Sequence, residues 1–332
     1  MDSRNRERPD RNLALELVRA TEAAALAAGR WMGRADKEAG DQAAVDAMRL
    51  VLSTVEMDGV VVIGEGEKDE APMLYNGEKV GTGNPPQVDI AVDPIDGTRL
   101  LAQGRPGSLA VIACAPRGTM FNPGPMVYMH KWVVGPEARG AVDIDAPIAE
   151  NLRRIADAKD KDVEDLVVIM LDRPRHEEMF AEVRATGARL RLIMDGDVAA
   201  ALLALLPDKP VDVLLGIGGT PEGVTTACAV QALGGEMLGR LWARDEDEAR
   251  RARELGYDLD EPLDTGRLVS SSDTFFVCTG ITPGDLVDGV EYDRRGAVTD
   301  SLVMRGKSGT VRWIKARHTF SKLMTYSSID FE

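Results

Sequence analysis

The chain has 332 residues, 44% of them hydrophobic, enough for one large core or for two domains that share one. Its 55 acidic residues outnumber 40 basic ones, giving a net charge of −15; such a surface repels nucleic acid and anionic membranes, and neither is expected as a partner. No apolar run approaches the roughly 20 residues of a membrane span. The charged N-terminus lacks the apolar core of a signal peptide. Cys114, Cys228 and Cys278 lie far apart in apolar segments, so a cytoplasmic protein with buried free thiols is expected.

Residues 1–11 read as a loose arm. Leu13, Leu17, Ala20, Ala24, Ala28 and Trp31 share one face and predict a helix over 12–32. The run from Gly33 to Gly40 breaks it. Asp41 then stands where an N-cap belongs, ahead of a helix carrying Val45, Met48, Leu52 and Val55. A buried strand at 60–63 ends in Gly64-Glu65-Gly66-Glu67, and 67–87 is rich in loop residues. Val88, Ile90 and Val92 alternate with Asp89 and Ala91 in a strand that Pro94 is expected to stop. A short helix over 98–103 follows, then strands at 108–115 and 127–134. From about residue 147 the rhythm becomes helix and strand in alternation: helices over 148–158, 174–186, 198–206, 221–233 and 245–255, strands over 166–171, 190–194, 211–217 and 237–242. The tail returns to strands at 274–279, 301–304 and 311–316. The fold class is α/β (α+β), with helices on the faces of its sheets. Residues 1–145 read as an α+β domain, and 146–332 as an α/β domain packed tightly against it.

The chemistry concentrates in Asp93-Pro94-Ile95-Asp96-Gly97-Thr98. Two carboxylates so close repel each other, and a hard divalent cation such as Mg²⁺ removes that cost. The N–H groups of Gly97 and Thr98 open a helix, a place that suits phosphate. Asp41, Glu65 and Glu222 also stand where a strand or helix meets a turn. Brought together, these acids would hold two or more Mg²⁺ or Mn²⁺ ions and serve phosphate-ester hydrolysis. Taken singly, each has a plainer reading: Asp41 as an N-cap, Glu222 as a partner of a helix dipole, Thr98 as a cap hydroxyl, Asp93 and Asp96 as solvated turn residues.

Asp-Pro-Ile-Asp-Gly-Thr resembles the signature of the lithium-sensitive, metal-dependent sugar phosphatases. Within that superfamily the chain looks most like the bacterial class II fructose-1,6-bisphosphatases, the actinobacterial ones in particular. The resemblance is carried by the stretch from Gly64 to Leu74, by Gly81-Thr82-Gly83, Pro174-Arg175-His176 and Asp195-Gly196-Asp197-Val198-Ala199, and by Gly216 to Gly223. It implies a layered α/β/α/β/α sandwich, a homodimer or homotetramer, and hydrolysis of the 1-phosphate of fructose 1,6-bisphosphate in gluconeogenesis. The implied metal ligands are Asp41, Glu65, Asp93, Asp96 and Glu222. Some class II members carry Glu where this chain has Asp96, and the wider superfamily has a Trp-Asp pair near the last ligand, where this chain has Pro221-Glu222.

Thr98 would orient the attacking water, with Asp41 accepting its proton. Arg173, Pro174, Arg175 and Tyr128 resemble the family's substrate residues, with Lys131 a weaker candidate, and the arginine fork suits phosphate. Asp96, Gly97 and Thr98 would face the reacting phosphate. Asp195, Gly196 and Asp197 would meet sugar hydroxyls, although Asp197 also reads as an N-cap, and Gly218 and Gly219 would let backbone approach the ligand. His176 receives no role, and Arg305-Gly306-Lys307-Ser308-Gly309 reads as a turn between strands. Sedoheptulose 1,7-bisphosphate or an inositol phosphate are alternative substrates, and a catalytically silent sugar-phosphate sensor is the non-enzymatic alternative.

Overall fold

The computed structural model describes residues 11–66 and 73–324. The expected arm, apart from Arg11, and residues 67–72 of the glycine- and glutamate-rich stretch lie outside the described residues. Helix α1 (Ala14–Ala28) ends in a single 3₁₀ turn, Gly29–Trp31. Of the expected stripe, Leu13, Leu17, Ala20, Ala24 and Ala28 are buried, while Trp31, in the 3₁₀ turn, is only half-buried. Helix α2 (Lys37–Leu52) starts five residues earlier than the sequence suggests. Its cap is Asp36, whose carboxylate accepts from the Ala39 N–H at 3.0 Å, so Asp41 lies inside the helix and is not an N-cap.

The chain then lays down β1 (Asp58–Ile63), β2 (Lys79–Val80) and β3 (Gln87–Asp96), the short helix α3 (Thr98–Ala102), and β4 (Leu109–Pro116). Pro94 does not end β3. Against β4, Asp93 pairs with Val111 and Asp96 with Leu109, so one extra residue is accommodated in a bulge. A proline is tolerated there because the ladder is already interrupted.

The middle of the chain gives β5 (Tyr128–Val134), α4 (Ile148–Ala158), β6 (Val167–Leu171), α5 (Glu177–Ala185), β7 (Arg189–Ile193), α6 (Asp197–Leu205), β8 (Val213–Gly219), α7 (Thr220–Leu233), β9 (Glu236–Trp242), α8 (Glu246–Glu254) and β10 (Leu263–Asp264). The tail adds β11 (Phe275–Gly280), β12 (Glu291–Tyr292), β13 (Gly296–Arg305) and β14 (Thr310–Thr319). The 305–309 run forms the turn joining β13 to β14, as expected. One sheet runs β12-β13-β11-β4-β3-β1-β2 with β14 paired to β13; the other runs β10-β9-β5-β8-β6-β7. The division expected near residue 145 does not follow the sheets. β5, before it, belongs to the second sheet, and β11 to β14, after it, belong to the first.

The strand period of two separates the layers. On β4, Ala110, Ile112 and Cys114 pack with α1 and α2, while Leu109, Val111, Ala113 and Ala115 face a core shared with α6 and α7. On β5, Met129 and Val133 face that same central core, while Trp132 and Val134 pack with α4 and α5. The order is therefore α1 and α2, first sheet, α6 and α7, second sheet, α4 and α5: the expected α/β/α/β/α sandwich. Cys114, Cys228 and Cys278 are buried and unbridged. Among the described residues no helix is long and apolar enough to cross a membrane.

Candidate active site

The two sheets and the central helices leave a pocket of about 410 Å³. Glu65, Asp93, Asp96, Gly97, Thr98, Tyr128, Arg173, Arg175, Asp195, Gly196, Asp197, Gly219 and Glu222 all line it. Residues brought from β3, the β6–α5 connection, the β7–α6 turn and the start of α7 thus meet in one place. Of the residues expected at the site, Pro174, Asp41, Lys131 and Gly218 do not line it. Pro174 is exposed in the 3₁₀ turn Pro174–His176. Asp41 stands one step back, in α2, where its charge still acts on Glu65.

One wall is acidic. The bulge after Asp93 lets its carboxylate accept the Ile95 N–H at 3.0 Å. Asp96 is buried and reaches across to the first turn of α6, accepting the Ala199 N–H at 3.3 Å. Glu222 occupies the first turn of α7, directly after Pro221, and its Oε2 is buried without a hydrogen-bond partner. Burial pushes every carboxyl in this wall upward, and their mutual repulsion adds to it. Glu65 is pushed up to about 7 by burial, then by Asp41 and Glu222. Asp93 is raised well above the usual range by burial and by Asp96, Glu65 and Glu222; Asp96 is raised likewise by burial, Asp197 and Glu222. Burial also raises Glu222, opposed by Lys131, and raises Asp41, opposed by Lys37. Among the described residues no three acidic, histidine or cysteine side chains are yet gathered as the ligands of one ion. The fit of a cation therefore rests on the donors: only carboxylates, crowded, half-buried or buried, with the Glu222 oxygen unpartnered. That set suits a hard divalent ion.

Gly97 precedes α3 with φ 88°. Thr98 opens that helix, half-buried, and its hydroxyl makes only a long contact, 3.5 Å, to the Ile95 carbonyl. The oxygen thus remains available to a third group.

The opposite wall is basic. Arg175 donates twice to the Ile217 carbonyl, at 3.1 and 2.7 Å, and lies over the Tyr128 ring at 4.8 Å. Arg173 donates to the Met194 carbonyl at 2.6 Å and to Asp195 at 3.2 Å. These bonds use part of each guanidinium, and an arginine has five N–H donors.

Two residues behind the walls hold the site together. His176 is buried; its Nδ1 meets the Leu171 carbonyl at 2.7 Å and its Nε2 accepts the Ile217 N–H at 2.8 Å. It fastens the end of β6 to β8 and so fixes the segment that carries Arg173 and Arg175. Lys131 is the other. Alternation along β5 turns it toward the central layer with Met129 and Val133, where it is buried. It forms an ion pair with Asp197 and donates to the Gly219 carbonyl at 3.0 Å. Asp197 is not the N-cap of α6; Gly196 is, which leaves the Asp197 side chain free to reach Lys131. A Cβ on Gly218 would collide with the Asp197 carboxylate and the Lys131 side chain, so only glycine fits beside this pair.

A family model described as bacterial fructose-1,6-bisphosphatase, glpX-encoded, matches residues 11–318. The chain is 48% identical over 321 residues to fructose-1,6-bisphosphatase 1 class 2 of Escherichia coli strain K12, an alignment that covers 93% of this chain and 95% of that protein. Fructose-1,6-bisphosphatase class 2 of E. coli O6:H1 and that of Shigella flexneri are similar to the same extent.

Proposed function

The chain belongs to the bacterial, glpX-encoded fructose-1,6-bisphosphatase family, and from that premise we propose that its pocket hydrolyses the 1-phosphate of fructose 1,6-bisphosphate to give fructose 6-phosphate and phosphate. The observation that carries this reading is the pairing of an acidic wall with an arginine-tyrosine wall across a single pocket of about 410 Å³. One wall suits the metal and reacting phosphate, the other a second phosphate. A pocket of this volume falls in the ordinary range for small ligands.

Asp41, Glu65, Asp93, Asp96 and Glu222 would hold Mg²⁺ or Mn²⁺, two ions or more. When bound, such ions neutralise phosphoryl oxygens and acidify water. The residues themselves do the rest. Asp96, Gly97 and Thr98 face the 1-phosphate. The Thr98 hydroxyl, only loosely held by Ile95, orients the attacking water. Asp41, one step behind Glu65 and raised by burial, is suited to take the proton through an intervening water. The far phosphate is received by Arg175 and Tyr128, with Arg173 and Pro174 shaping the segment that presents them. Asp195, Gly196, Asp197 and the backbone at Gly219 meet the sugar. Phosphoryl transfer depends mainly on positioning and charge, so no covalent nucleophile is needed.

Phosphate release tests this, measured on fructose 1,6-bisphosphate, sedoheptulose 1,7-bisphosphate and an inositol monophosphate with and without Mg²⁺ or Mn²⁺. Fructose 1,6-bisphosphate should be cleaved fastest, and release should stop in excess EDTA. Equal rates on the inositol phosphate, or full turnover in EDTA, would overturn the reading.

A further inference from the structure

A second cavity, of about 290 Å³, lies behind the sugar-facing turn. Its wall is apolar, built by Leu100, Leu109, Ile193, Ala200, Leu203 and Leu286. Leu192, Ile193, Met194 and Arg105 also line an adjoining polar groove, whose other cations are Arg99 and Arg173 and whose one acid is Asp172. Three arginines thus gather in one groove of a chain whose net charge is −15. Two of them are engaged with the Met194 carbonyl and Asp195. Arg191, in the cavity wall, is paired with Asp285. Arg105 is exposed, and among the described residues its guanidinium makes no ion pair or side-chain hydrogen bond.

We propose that the joined cavity and groove bind a small amphipathic anion. Its apolar ring system fills the cavity, and one sulfonate, carboxylate or phosphate head meets Arg105 and Arg99. The apolar wall supplies burial, and the unpartnered arginine supplies charge where the void turns polar.

The site is wired to the pocket described above. Arg99 and Arg173 both donate to the Met194 carbonyl, at 2.9 and 2.6 Å, and both guanidinium groups face Asp195, at 3.6 and 3.2 Å. Asp195 and Gly196 line the second cavity and the acidic pocket alike. A bound anion drawing Arg99 into the groove removes one of two clamps on this turn. Occupancy therefore raises KM for the sugar bisphosphate with little effect on kcat. This coupling rests on the role proposed for Asp195; the binding does not.

The probe is 8-anilino-1-naphthalenesulfonate, titrated by fluorescence into the full-length protein. The expected result is one saturable site per chain. Arg105→Glu, an exposed change that leaves the core intact, should weaken binding about tenfold or more, and Ala200→Phe should abolish it by filling the cavity. Saturating fructose 6-phosphate should weaken the dye only by a limited factor that levels off, and should not displace it. Wild-type affinity in Arg105→Glu overturns the site, as does competitive displacement by fructose 6-phosphate. If Ala200→Phe does not fold, Arg105→Glu decides alone. In turnover assays the dye should raise KM in the wild type but not in Arg105→Glu; an unchanged KM while the dye is bound overturns the coupling. A chain inactive on every phosphate ester would refute the enzymatic reading and leave the binding result standing.

Discussion

Replacing Lys131 by methionine tests the frame of the site more sharply than replacing any residue that lines it. The two side chains are similar in length, so the perturbation is the removal of one buried charge. Lys131 is 3% exposed and its partner Asp197 is 10% exposed. Without the ammonium, the Asp197 carboxylate has lost its cation and the Gly219 carbonyl its donor at 3.0 Å. Removing one member of a buried pair costs about 3–5 kcal/mol, of which an orphaned carbonyl accounts for about 1 kcal/mol or more. Urea unfolding followed by circular dichroism, with constant m, measures the loss. The double variant Lys131→Met/Asp197→Asn should recover a large part of it, because the stranded charge is gone. The pair is then visible as a coupling of roughly 1–3 kcal/mol in the mutant cycle. A single variant within about 1 kcal/mol of wild type, or a double variant whose losses simply add, would mean that the ion pair does not hold the start of α6 against β8.

Three further changes address the site and its pH response. Thr98→Ala should lower kcat by roughly 10²-fold and leave the melting temperature nearly unchanged, since the hydroxyl makes only the 3.5 Å contact to Ile95; a destabilised variant with normal kcat would mark Thr98 as a structural cap. Arg175→Ala should raise KM for the bisphosphate more than it lowers kcat, and steady-state kinetics with KM unmoved would remove Arg175 from the substrate contacts. His130 titrates at about 4, held down by burial and then by Arg240 and His176, against about 6.5 unfolded. Its folded value is depressed, so the unfolded state binds more protons between these values. Its contribution is present above about pH 6.5 and is lost as pH falls toward 4, amounting to as much as about 3 kcal/mol. Chemical denaturation at pH 4.5 and 7 should show a shallower pH dependence in His130→Gln than in the wild type, and identical slopes would refute the assignment.

Much of the site is legible in the chain because its chemistry is local. Asp93 and Asp96 lie three residues apart, and the alternation from Val88 to Val92 points them to the end of a strand. Where the sequence misleads, an unseen neighbour decides. Gly40 reads as a helix breaker, yet it lies inside α2. A Cβ there would come within 3.2 Å of Trp31 and 3.1 Å of Leu101, so the glycine answers to packing between helices and the cap shifts back to Asp36. Asp197 reads as a cap for the same kind of reason, its partner Lys131 being distant in sequence. Pro94 reads as a strand end because the bulge that accommodates it forms only opposite β4. His176 carries no signal at all, since its two bonds go to backbone groups that only the fold supplies. The central layer and the strand orders depend on pairings such as β4 with β11 that no local pattern encodes.

That last pairing has a consequence for how the protein is made. During synthesis from the N-terminus, β4 emerges with one edge satisfied by β3 and the other bare, and its partner Phe275–Gly280 lies nearly half the chain further on. The whole second sheet, made from residues 128–264, leaves the ribosome in between and has all its partners at hand. Until then the bare edge of β4 displays Val111, Ile112 and Ala113, an apolar strand of the kind that recruits other strands. A nascent chain of this protein is therefore a natural client for a holdase, and a stop codon before residue 275 would yield an insoluble fragment even though the whole acidic pocket had already been translated.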